Sequence, residues 1–340
     1  MVARVTVADV AQAAGVSITT VSHSLSGKGR VDPATRKRVR EVAAELGYVP
    51  SRAARNLALG RSDTIGLLLP QLPTMPLEEL LGFDYYGRVA VAASQAALHH
   101  GRALLVLPGV QSASHLASFG LDGLIVLDPI VDDPRLALLD GLATRTVLMG
   151  QDPRGAFGPA VTIDTAGSTR ALLDHCWERG ARTIGMINSD LPWSATDTAR
   201  DAYTAWCSER GVEPHVAIAP ATSVQSRPEL AQVAKQTAID MLRGSDRPDA
   251  ILGMLEDFGR GIVLAAREVG VDVPGDLLVA QDIDDAVASA GGITALDLNV
   301  HTQLDIALAM LIADEPLPVD EVRLVSATLV SRESTRGLRR

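Results

Sequence analysis

Residues 5–70 read VTVADVAQAAGVSITTVSHSLSGKGRVDPATRKRVREVAAELGYVPSRAARNLALGRSDTIGLLLP, and the first forty or so of them break into three short helical patterns. Thr6 with Asp9 three residues later is a capping-box pattern ahead of Val7, Val10, Ala11 and Ala14 at helical spacing, which predicts a helix over 7–14 ended by Gly15. Ser17 is a good N-cap for a second helix to about Leu25, and Ser26-Gly27-Lys28-Gly29 reads as a loop. Asp32-Pro33 sets an N-cap beside a proline at the first helical position, and Val39, Val42 and Leu46 then line one face before Gly47. A small residue at the crossing (Ala11), a turn glycine (Gly15) and an apolar anchor (Val21) are what a helix-turn-helix needs. The expectation for residues 1–50 is an all-α helix-turn-helix head.

On such a head the outward face of the second helix enters the major groove. Ile18, Thr19 and His23 are then the candidates to read base edges, and Ser17, Thr20, Ser22 and Arg30 the candidates to touch phosphates. Charge agrees with this. Residues 1–61 hold ten basic and four acidic side chains, a net +6, whereas the whole chain carries −10, which leaves −16 for residues 62–340. A basic head on an acidic body suits a small domain that approaches phosphates while the rest avoids them.

At 340 residues the chain exceeds one typical core. The N-terminus lacks a signal-like apolar run and no membrane-length apolar stretch occurs, so a cytoplasmic location is expected. Cys176 and Cys207 show no CxxC or Cys/His spacing, which argues against disulfides and structural metal, and no cofactor is called for. Beyond residue 61 apolar strand-like runs at 65–69, 103–107, 123–127, 146–149, 161–163, 183–187, 250–253 and 277–280 alternate with helical stretches at 88–99, 168–179, 198–210, 229–242 and 258–269. This alternation predicts an α/β body with doubly wound parallel sheets, and open sheets of that kind bind ligands at the carboxyl ends of their strands. Between Leu107 and Gly123 there is little room for a full crossover helix. No GxSxG elbow, phosphate-binding GxxxxGK[ST] loop, HExxH or GxGxxG is present, so the chain is not expected to be an enzyme.

The continuous run over 5–70 resembles the head, hinge and first core strand of the LacI/GalR family of transcription regulators. The resemblance implies a homodimer on a pseudo-palindromic double-stranded DNA operator, with a hinge helix over 51–61 entering the minor groove. In that picture Leu57 is the wedge between base pairs and Arg52 and Arg55 lie on the backbone. It also implies two periplasmic-binding-protein-like lobes, about 62–161 and 164–281, with a C-terminal segment crossing back, and a small-molecule effector such as a sugar held between them.

Only 11 aromatic residues occur in the chain, and Phe83, Tyr85 and Tyr86 are expected to crowd one loop just after the first strand. Tyr85, Tyr86 and Trp193 are therefore aromatic candidates for the effector site. Asp164, Arg200, Glu256, Asp257 and Asp282 are polar candidates, each near a point where a strand hands over to a loop or helix. Asp282 is the best supported, since VAQDIDD resembles the family's glycine, aromatic, aspartate run. Two departures stand out: the register in which the family commonly carries arginine and glycine gives Ala199 and Ala202, with Arg200 one place over, and Leu255-Glu256 replaces a common Asn-Asp pair. The expected function is that of a sequence-specific repressor of metabolic, carbohydrate-related genes released by its effector. The alternative is an effector-independent regulator whose body only dimerises or binds a partner.

Overall fold

The computed structural model describes residues 5–26, 29–48, 61–72, 75–110, 112–139, 141–317 and 320–339. The chain divides into two compact units, Met1–Asp63 and Thr64–Arg340.

The first unit is built from α1 (Val7–Ala14), α2 (Ile18–Ser26) and α3 (Pro33–Glu45). Local chemistry sets each boundary. The Thr6 backbone N–H donates to Asp9 Oδ2 at 2.7 Å while Asp9 N–H donates to Thr6 Oγ1 at 3.4 Å, the reciprocal capping box. Gly15 closes α1 in the left-handed conformation with φ 63°. Ser17 Oγ accepts from Thr20 N–H at 3.1 Å, and Asp32 accepts from Thr35 N–H at 3.1 Å beside Pro33. Val10, Ala11, Ala14, Val21, Val39 and Ala43 form the core. Leu46, expected on the apolar face of α3, is instead exposed at the C-cap. Ala43 takes that inward place because it lies one helical turn after Val39.

In the second unit, β1 (Thr64–Leu68), β2 (Ala103–Leu107), β3 (Gly123–Leu127), β4 (Arg145–Met149), β5 (Ala160–Ile163) and β11 (Val322–Val325) make one sheet in the order β11-β5-β4-β3-β1-β2. Every pairing in it is parallel. A second parallel sheet runs β7-β6-β8-β9, from β6 (Ile184–Ser189), β7 (His215–Ala219), β8 (Ala250–Gly253) and β9 (Leu278–Gln281). The central strands are buried along nearly their whole length, which explains their continuous apolar sequence.

Helices follow the strands: α4 (Leu77–Leu80), α5 (Asp84–His99), α6 (Ala113–Ser118) and α7 (Pro134–Leu139) in the first lobe; α8 (Thr165–Glu178), α9 (Ser194–Arg210), α10 (Arg227–Arg243), α11 (Phe258–Glu268) and α12 (Ala286–Ala290) in the second. The short interval between β2 and β3 holds only the six-residue α6, capped by Ser112.

The end of the chain crosses between lobes more than once. After β10 (Ala295–Asp297), α13 (Val300–Ile312) packs on α5 and on the first sheet, and β11 extends that sheet beyond β5. The chain then returns as β12 (Thr328–Val330), antiparallel to β10. The return is fixed by a buried polar cluster, in which Thr335 Oγ1 lies 2.7 Å from His175 Nε2 and 2.6 Å from Thr294 Oγ1. Burial lowers His175 to about 4, so it enters this cluster as a neutral ring. Both cysteines are free and buried.

Candidate functional site

On the head, Ile18 is 52% exposed although it is a large apolar residue at the start of α2, and Thr19 and Ser22 are exposed on the same helix. Ser17 and Thr20 are occupied with each other, their hydroxyl oxygens 2.9 Å apart. His23 is half-buried and its ring lies against Gly29, where an added Cβ would come within 2.6 Å of Nδ1. Arg30 is exposed. Arg52, Arg55, Leu57 and the rest of the hinge segment up to Gly60 lie outside the described residues.

In the body, a cavity of about 170 Å³ lies where the carboxyl ends of the two sheets face each other. Asp128 enters it directly after β3, Asn188 near the end of β6, Glu256 after β8 and Asp282 after β9. Tyr85, Tyr86 and Trp193 also line it. The expected aromatic loop is a correction: Tyr85 and Tyr86 belong to the first turn of α5, with Phe83 at its N-cap. The helix starts there because Glu256, from the other lobe, accepts the N–H groups of Asp84 at 2.9 Å and Tyr85 at 3.3 Å, which otherwise lack partners at a helix start. The rings pack edge-on, Tyr85 with Tyr86 at 5.1 Å and Phe83 with Tyr86 at 6.1 Å.

Three expected residues stand outside the cavity. Asp164 caps α8 by accepting Gly167 N–H at 2.9 Å, and the next turn supplies Ser168 and Thr169 to the wall instead. Arg200 turns outward to Asp197 at 2.6 Å and Asp201 at 3.8 Å, because one residue along a helix rotates the side chain by about 100° and gives the wall to Ala199. Asp257 is buried in an ion pair with Arg227 at 2.7 Å. The sequence reading missed Asp128, although it follows GLIVL at a strand end where the rule that nominated Asp282 applies equally, as well as Asn188 and Thr169.

The cavity is acidic. Burial lifts Glu256 to about 7 against the pull of Arg227, 3.0 Å away, and of the α5 amides. Asp128 rises to about 7 by burial, opposed by Arg135 and by the Tyr86 hydroxyl that donates to it. Asp282 rises to about 8 by burial, with Glu256 and Asp285 adding repulsion. Among the described residues, the buried atoms Asp282 Oδ1, Trp193 Nε1 and Thr169 Oγ1 have no hydrogen-bond partner, and all three residues line this one cavity. Orphaned buried polar atoms are rare in folded proteins, and three around one void mark a place for a polar ligand.

Residues 6–51 match the model of the bacterial regulatory proteins of the lacI family, and residues 173–335 match the periplasmic binding protein-like domain. The chain joins a lacI-family DNA-binding head to a periplasmic binding protein-like domain. The HTH-type transcriptional regulator CelR of Thermobifida fusca is 28% identical over 344 residues, covering 97% of this chain and 98% of the relative. A solved transcriptional regulator CelR–cellobiose complex is 23% identical, with a TM-score of 0.68 over 97% of this chain and 100% of that one. The lac repressor dimer bound to operator and the anti-inducer ONPF is 20% identical, with a TM-score of 0.77 over 98% and 99%. The LacI-family head and two-lobed α/β body thus agree with the fold read from sequence, and the family is one of DNA-binding transcription regulators. Among the described residues no helix is long and apolar enough to cross a membrane, and no group of three His, Cys, Asp or Glu is placed to hold a metal ion.

Proposed function

We propose that this chain is a cytoplasmic, homodimeric repressor whose DNA affinity is set by a small carbohydrate-like effector in the interlobe cavity. The observation that carries this reading is the coincidence of three orphaned buried polar atoms in one cavity of a chain with a LacI-family head. The cellobiose complex of the related regulator and the operator complex of the lac repressor support the two halves of it.

Ile18, Thr19 and His23 read base edges, while Ser17, Thr20, Ser22 and Arg30 hold the phosphates, the hydroxyls of Ser17 and Thr20 serving also as the α2 cap. Arg52, Arg55 and Leu57 act at the minor groove between half-sites. Tyr85, Tyr86, Trp193, Glu256 and Asp282 contact the effector, and Asp128 and Thr169 join them. Asp164, Arg200 and Asp257 are assigned structural roles.

The lobes already hold each other directly. Arg227 at the start of α10 donates to Gly82 O at 2.5 Å, Arg88 of α5 donates to Asp284 O, and Ser194 Oγ of α9 donates to Gln151 O at 3.1 Å. A ligand shifts DNA binding only by its differential affinity for two lobe arrangements, so an effector works here by competing for Glu256 or by strengthening closure. The test is selection of binding sites from random duplex DNA by the full-length protein at near-physiological salt, repeated with candidate sugars. A palindromic consensus lost or weakened by one sugar is the expected result; a consensus indifferent to every sugar would favour the body as a dimerisation module only.

A further inference from the structure

The cavity that takes the effector has a one-sided electrostatic character. Its lining includes three carboxyl side chains, Asp128, Glu256 and Asp282, and no Lys, Arg or His among the described residues. The cations just behind the wall are committed elsewhere. Arg135, 1% exposed, gives its Nε and Nη2 to Asp133 and its other contacts to backbone carbonyls. Arg227 is shared by Asp257, Glu256 and Gly82 O. Asp282 has no basic partner; its charged neighbours are Glu256 and Asp285, and its Oδ1 accepts from nothing among the described residues.

A buried carboxyl facing two others must either take up a proton or meet a cation. Burial and its neighbours hold Asp282 in its protonated form at neutral pH when nothing else is present. The faces of Tyr85, Tyr86 and Trp193 in the same lining also favour positive charge over negative. Trp193 Nε1–H and the Thr169 hydroxyl, on a residue 1% exposed, ask for oxygen acceptors. The volume of about 170 Å³ exceeds only slightly the roughly 150 Å³ of a cavity that accepts benzene, so it suits a single six-membered ring.

Building on the effector reading above, we propose that the ligand is a monocyclic polyol bearing a protonated amine, with its ammonium group against Asp282 and its hydroxyls on Trp193 and Thr169. An anionic ligand such as a sugar phosphate is disfavoured by the same lining, since it would be buried among three carboxyls with no Lys, Arg or His in the wall among the described residues.

Calorimetric titration of the full-length protein with D-glucosamine, D-glucose, N-acetyl-D-glucosamine and cellobiose tests this at neutral pH in buffers of different ionisation enthalpy, because a charged amine must displace the proton that Asp282 holds in the empty cavity. Glucosamine should bind at least tenfold more tightly than glucose. Acetylation, which keeps the nitrogen but removes its charge, should abolish the preference. Asp282→Asn should bring the two monosaccharides within about threefold, chiefly by loss of glucosamine affinity, with a cooperative melt retained as the sign that the fold is intact; Glu256→Gln should narrow the gap less. Glucose or cellobiose binding as tightly as glucosamine would overturn the amine and leave the carbohydrate-effector reading standing. A preference that survives Asp282→Asn would overturn the placement. Binding of none of the four would overturn the inference and also count against a carbohydrate effector.

Discussion

Single carboxyl groups make the cleft responsive to pH. Asp128, Glu256 and Asp282 all have folded-state values raised above the ordinary range of about 4, to about 7, 7 and 8. The folded protein therefore binds protons more tightly than the unfolded chain. The stability these groups contribute is present in acid, is lost as pH rises through the folded values, and levels off above about pH 8. Thermal melts of the full chain should show a midpoint that falls between about pH 5 and pH 8, and Asp282→Asn should flatten that slope and raise the midpoint on its alkaline side. A variant with the parent's slope would show that Asp282 is not held protonated. On the head, Gly29 is the residue whose replacement acts most directly on the recognition surface. It has φ +75°, and a Cβ there would meet the His23 ring. Gly29→Ala should destabilise the head by about 1–2 kcal/mol and weaken specific DNA binding at least tenfold, read by amide exchange in α2 and by operator titration. Unchanged specific binding would remove His23 from the reading set.

At the scale of elements, legibility tracked the range of the interactions that build each one. The three head helices are closed by side chains no more than three residues from the groups they cap, so Thr6, Ser17 and Asp32 announce them. Asp32→Ala should accordingly cost about 1 kcal/mol, seen as faster exchange in the first turn of α3 with α1 unaffected. Central strands were legible as apolar runs because both faces are buried, and the edge strand β2 was legible as ALLVL, whereas the edge strand β7, HVAIA, went unread because His215 and two alanines leave it a weaker apolar run. The start of α5 is fixed by Glu256, 172 residues downstream of Asp84, and no local pattern encodes that. The places of α13 and β11 in the first lobe are likewise set by packing on α5 and pairing with β5. In the site, aromatic residues and strand-end carboxylates were found by type. Arg200 and Asp257 were misplaced because a helical offset of one residue and an ion pair to Arg227 decide direction, and neither shows in spacing.

For the whole molecule, the proposed mechanism needs two copies of the chain and two lobes that move. Arg227 compensates Glu256 and Asp257, which are 1% and 3% exposed, while also gripping Gly82 O of the first lobe. Arg227→Ala strands two buried carboxylates and should cost about 3 kcal/mol of body stability, less in proportion to the guanidinium's partial exposure, while leaving head exchange rates unchanged. The proposed dimer contact is placed on a different surface. On α5, Val91 is 59% and Leu98 75% exposed, seven residues apart and so on one helical face turned away from the buried Val89, Ala93 and Ala97. These two apolar side chains on one outer face are our candidate contact for the proposed dimer. Leu98→Asp should therefore shift the sedimenting species from dimer to monomer with the melting midpoint of the body lowered only slightly. Operator affinity should then fall by far more than nonspecific affinity, because two half-sites read together depend on joining two heads. Leu57→Ala separates the hinge from dimerisation. It should reduce specific affinity with nonspecific binding and sedimentation both near normal, so a monomeric Leu57→Ala protein, or a dimeric Leu98→Asp protein with impaired operator binding, would contradict this division of labour.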